Sequence, residues 1–311
     1  MRLDLLATLA GILVAVQSRA NGELALRIHN SLEAACISFG SGLVVLLVIT
    51  YFHEGIRNGV SKIWTAVGSG SLPRWRLIGG ALGGVVIAIQ THIVPLIGVA
   101  IYSVSVISGQ TAISLLVDRL GLTGGGKRHI SPRRITAAIL TILAVLISVW
   151  DRLDAKSLSV ISIILGIISG GIIGVQRAFN GQVNEHSGQS FATTLFNFIT
   201  GTSLLVVLFF GGIVIHRAHF SALSWNPWWM YLGGVTGVIY IAFASTVVQH
   251  LGVLTFTLFS IGGQLVGSLL IDIFLPSKGV HVGIYLVSGI LMTYIGVVAN
   301  SDRLGTRRRT G

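Results

Sequence analysis

Residues 108–118 read SGQTAISLLVD and residues 262–272 read GGQLVGSLLID; Gly, Gln, Ser, two Leu and Asp recur in one register 154 positions apart. An amide, a hydroxyl and a carboxylate cost free energy inside an apolar helix. Their return at one spacing therefore shows that the chain is written twice. The stretch Val16–Gly22 returns as Val175–Gly181 under a shift of 159, which also carries Gly11 to Gly170, Phe39 to Phe198 and Gly42 to Gly201. The shift of 154 carries Trp75, Gly79, Gly80 and Gly83 to Trp229, Gly233, Gly234 and Gly237. Two copies of this length specify two related units, 1–152 and 153–311, not a short-period solenoid.

The medium in which these units fold follows from what the surface lacks. Of the 311 residues 52% are hydrophobic and 10% are charged, with 40 glycines. A water-facing domain carries about 25% charged residues. Ten apolar stretches lie near 3–20, 32–52, 76–94, 97–118, 134–150, 158–177, 190–214, 228–248, 252–275 and 281–299. Each approaches or exceeds the ~20 residues that cross a bilayer. Arg2 followed by an apolar run and Ser18-Arg19-Ala20 imitates a secretory signal, but the same helix end recurs at Gln176–Gly181, so it is read as the first span.

The expected fold is all-α: ten transmembrane helices as two five-helix repeats. Five is odd, so the second repeat is expected to enter the membrane inverted. Fifteen Lys and Arg fall on the side of the N-terminus and six on the other. The positive-inside rule then places both termini in the cytoplasm. The net charge of +11 lies in loops and in the tail Arg307-Arg308-Arg309. This is a pattern for topology and contact with the lipid bilayer, and it leaves no groove-sized patch for nucleic acid. Cys36 lies alone in an apolar run, so no disulfide framework exists.

Inverted repeats are common in secondary transporters, with the site where the copies meet near the midplane. Gln110 and Gln264 fall halfway along the fourth and ninth stretches, each followed by Ser at i+4 (Ser114, Ser268) and Asp at i+8 (Asp118, Asp272). That spacing makes one polar stripe on one helix face. The glutamines either meet a polar solute or bind each other across the two halves. The aspartates fall near opposite ends of the membrane, as gates, structural ion pairs, direct ligands or proton carriers. Gln17 with Asn21, and Gln176 with Asn180, stack at i, i+4; they either line a cavity or satisfy a helix end, since Asn-Gly is a stop signal. Gln90 and His92 have Ala244 and Thr246 as counterparts, so solute identity could reside in that difference. His92 is either a proton relay or a locally satisfied histidine. The glycines of the third and eighth stretches read as close-packing faces.

No metal-ligating helix motif, CxxC pair, phosphate-binding loop or nucleophile elbow occurs. An enzyme is not expected, nor is a metal or a cofactor. Q-x-x-x-N-G in the first stretch, G-Q-x-x-x-S-L-L-x-D in the fourth and ninth, and Ser131-Pro132-Arg133-Arg134 opening the fifth resemble the YdcZ-like family of the drug/metabolite transporter superfamily. The second half departs from this pattern: it lacks the Ser-Pro-Arg opening and has a shorter loop after Asp272. The resemblance implies a fused pair of five-helix units in a bacterial inner membrane and efflux of a small molecule. The expectation is thus a secondary transporter, an exporter working by alternating access. Its partners would be a small-molecule solute and the bilayer, and coupling to a proton or ion, or pairing into a homodimer, would be compatible with it. A lipid flippase or scramblase and a non-transporting membrane subunit are the rival readings.

Overall fold

The computed structural model describes residues 3–120, 122, 132–150, 160–216, 219–251, 253–276 and 282–301. Within them the chain is helical throughout, as α1 (Leu3–Ile28), α2 (Ser31–Phe52), α3 (Glu54–Gly68), α4 (Gly79–Ile97), α5 (Val99–Leu120), α6 (Pro132–Ser148), α7 (Val160–Ser187), α8 (Ser190–Val214), α9 (Gly233–Leu251), α10 (Val253–Phe274) and α11 (Ile284–Ser301). Short 3-10 turns at Arg74–Ile78 and Trp228–Leu232 lead into α4 and α9. Each of the ten apolar stretches is a helix. Seven helical segments are long and apolar enough to cross a membrane, and three further apolar helices are shorter. Serine and threonine hydroxyls inside them donate to carbonyls one turn back, as Thr8 does to Asp4 and Thr50 to Leu46, so they cost little in hydrocarbon.

One local feature differs from the sequence reading, and two others go beyond it. Asn-Gly does not stop the first helix of either half: α1 runs on to Ile28 and α7 to Ser187. Gly22 serves close packing there, because a Cβ on it would sit 2.7 Å from Val94 Cγ1. The loop after α2 holds α3, an amphipathic helix whose Ile56, Ile63 and Val67 are buried while Arg57 and Lys62 face out. Pro95 lies within the last turn of α4, and the link to α5 is Gly98 alone, at φ 84°, where a side chain would be strained.

The two halves pack reciprocally. α1 lies along α10 and α9, whereas α7 lies along α5 and α4; α2 meets α8, and α6 meets α11. The glycines shared by the halves set these approaches. A methyl on Gly11 would strike the Ser260 carbonyl of α10, and one on Gly170 would strike the Val106 carbonyl of α5. Gly80 rests on the backbone of Asn197 and Gly234 on that of Ser38. Phe39 and Phe198, which correspond under the repeat, stack with ring centroids 4.9 Å apart, each against the other half's glycine, Gly201 and Gly42. Backbone-to-backbone contact of this kind holds helices together where lipid offers no hydrophobic gain from association. The largest apolar cluster gathers around the α4–α5 junction, from Ile93 through Ile107, with Val145, Ile163, Leu265 and Ile290.

Candidate functional site

A cavity of about 590 Å³ opens where α1, α2, α4, α5, α7, α8, α9 and α10 converge, within the size range of small-molecule sites. Its walls include Gln17, Gln90, Gln110, Gln176, Asn180 and Gln264. Six of the seven amides singled out in the sequence therefore face one space. The seventh, Asn21, is fully buried beside it: its Nδ2 donates to Gln90 Oε1 at 2.8 Å. Gln90 Nε2 in turn donates to Ser18 Oγ at 2.9 Å and Tyr102 Oη at 3.3 Å. Four side chains of α1, α4 and α5 are thereby linked through Gln90 at one edge of the cavity, with Asn21 Oδ1 left without a hydrogen-bond partner.

Gln110 and Gln264 do not hydrogen-bond to each other. Gln264 Nε2 donates to Ser103 Oγ at 3.5 Å across α5 and α10, and Gln110 is half-buried. Gln17 and Gln176 lie against Gly237 and Gly83, where a Cβ would come within 3.0 Å and 2.6 Å of their Nε2 atoms. The glycine faces thus make room for the amides as well as for helix contact. Apolar walls come from Phe39, Phe198, Val86, Ile87, Tyr240 and Phe256.

The aspartates and His92 lie elsewhere. Asp272 is buried, and it accepts from the backbone N–H of Val99 at 3.0 Å and of Ala100 at 2.8 Å. These are the first residues of α5, whose N–H groups have no acceptor within the helix. Gly98 has no side chain with which to cap them, so α10 supplies the cap from the other half. This also answers the electrostatics, because a carboxylate near its own helix C-terminus meets the positive end of another helix. The side chain of Asp118 lies outside the described residues. His92 is exposed on α4 and does not line the cavity.

Arg177, Asn197, Tyr102 and Ser18 belong to the site but escaped the sequence reading. In the sequence Arg177 is one of the fifteen Lys and Arg on the side of the N-terminus. Its repeat partner Ser18 was the available signal, a small polar residue replaced by a cation inside a matched motif. Among the described residues no three His, Cys, Asp or Glu side chains are grouped to hold a metal ion.

No curated protein is significantly similar to the chain. One family, described as "Putative inner membrane exporter, YdcZ", matches residues 3–147 and again residues 161–299. The two matched stretches cover most of the chain, and with the apolar helices they place it in the inner membrane as a multi-pass exporter protein. The chain belongs to this YdcZ family of drug/metabolite transporter-type membrane exporters.

Proposed function

We propose that the protein is a secondary transporter that exports a small polar solute by alternating access between two inverted five-helix repeats, residues 1–152 and 153–311. The observation that carries this reading is the shared cavity, which takes its polar wall from both halves at equivalent positions: Gln17 with Gln176, and Gln110 with Gln264. A non-transporting subunit would have no use for an amide-lined space at the junction of its halves, since unpaired amides in a dry interior cost free energy.

Burial differs between equivalent positions. Ser18, Asn21 and Ser38 are buried, at 0%, 0% and 3% exposure, whereas their counterparts Arg177, Asn180 and Asn197 line the cavity. One end is therefore shut and the other accessible, as one state of an alternating cycle requires. With both termini cytoplasmic, the open end faces the cytoplasm. The shut end is held by the Asn21–Gln90–Ser18 network and by Asp272 on the α5 N-terminus, a gating role for that aspartate; Asp118 would serve the opposite end.

The test is Q110L with Q264L in proteoliposomes. The double variant should stay monodisperse and keep its melting temperature while solute flux falls to background; wild-type flux would overturn the role of the cavity.

A further inference from the structure

The cavity is chemically lopsided, and the difference can be read position by position. In the first half Ser18, Asn21, Gln90 and Tyr102 bond to one another. Their counterparts in the second half are Arg177, Asn180, Ala244 and Phe256. Two apolar residues stand where an amide and a phenol would have satisfied the set, and the serine is an arginine. Asn180 and Arg177, three residues apart on α7, share a face. Asn197 joins them, because a Cβ on Gly79 would lie 2.8 Å from Asn180 Oδ1 and 3.4 Å from Asn197 Oδ1.

Arg177 differs from the cations of its counterpart helix, α1. Arg19 and Arg27 both pair with Glu23, at 2.8 Å and 2.7 Å. Among the described residues Arg177 has no carboxylate partner, and it is the one charged side chain in a cavity whose wall holds no Asp or Glu. Arg177 is an exposed residue on the cavity wall, so its guanidinium is accessible to a solute. Its fork of donors matches a carboxylate or phosphate.

We infer that Arg177, with Asn180 and Asn197, is the recognition end for an anionic solute: a small organic acid whose carboxylate or phosphate meets the guanidinium. The apolar body of the acid lies against Phe198, Phe256 and Tyr240, and the midplane glutamines hydrogen-bond its polar substituents. This deepens the transport reading and rests on it. An amine of the same shape is rejected because its charge meets Arg177 with the same sign.

The test uses the full-length protein in maltoside micelles and four probes of one shape: 3-phenylpropionate, 2-phenylethylphosphonate, 3-phenylpropanamide and 3-phenylpropylamine. Dissociation constants come from ligand-dependent melting. One or both anions should bind at least about tenfold more tightly than the amide, in line with a hydrogen bond to a charged group, and the amine should be weakest. R177Q should erase that preference without changing the melting temperature of the free protein, and R177K should keep part of it. Equal binding of anion and amide, a preference that survives R177Q, or no binding of either anion would overturn the inference. Flux of the same probes into proteoliposomes separates the two claims. Arg177-dependent binding without flux refutes transport and leaves the anion site standing. Equal flux of acid and amide refutes the anion site and leaves transport standing.

Discussion

Replacing Asp272 by alanine tests whether the two halves are fastened through a helix cap. Both oxygens of Asp272 are used, on Val99 N–H at 3.0 Å and Ala100 N–H at 2.8 Å. Val99 and Ala100 are themselves 0% exposed, so water cannot replace the carboxylate. A hydrogen bond to a charged group contributes ~1.5–3 kcal/mol, and each buried donor left unmade costs ~1–3 kcal/mol. Against this stands the relief of no longer burying a carboxylate, so the net loss is expected at about 3–5 kcal/mol, as for other broken buried ionic contacts. Asn at this position keeps one acceptor oxygen and turns an NH₂ toward the second N–H, so D272N should lose about half as much. Thermal unfolding in detergent, followed by size-exclusion fluorescence, reads both. The expected order is wild type, D272N, D272A, with D272A lower by several degrees. A D272A melting temperature within about 1 °C of wild type would refute the capping argument.

Other expectations follow from the same contacts. G263L places a side chain against the Thr8 backbone; since the helices cannot separate without losing their closest packing, the variant should fail to yield a monodisperse peak. Q90L leaves the buried amide of Asn21 and the hydroxyl of Ser18 without their shared partner, and should cost ~2–4 kcal/mol in the same melting assay. D118A, which stands to Gly252 in the sequence as Asp272 stands to Gly98, should lower the melting temperature by an amount similar to D272A. In a C36A background, N180C should react with a membrane-impermeant maleimide from the open side and N21C should not. Reaction of N21C at the rate of N180C would contradict the proposed closed end.

The sequence carries the helices because span length and apolar content are local properties, and the repeat made the cavity amides visible as departures from apolar chemistry. What it hid was remote or relational. Asp272 caps a helix that begins 173 residues earlier, which no local pattern signals. Asn21-Gly22 reads locally as a helix stop, yet tertiary packing on Val94 overrides it. Arg177 looks like one more positive charge until it is set beside Ser18. The amphipathic α3 is too polar to register as a span, although its apolar stripe is plain once its helical period is applied.

The partnership of α1 with α10 sets a timetable for synthesis. About 225 residues separate the end of α1 from the start of its main neighbour. At ~5–20 residues per second, the first helix leaves the ribosome some ten to forty-five seconds before the surface it is shaped to meet. Throughout that interval its glycine groove and buried Glu23 must be borne by lipid or by an assisting protein. Birth order thus makes the N-terminal half the vulnerable one, and truncated products ending before residue 253 should be prime substrates for membrane proteolysis.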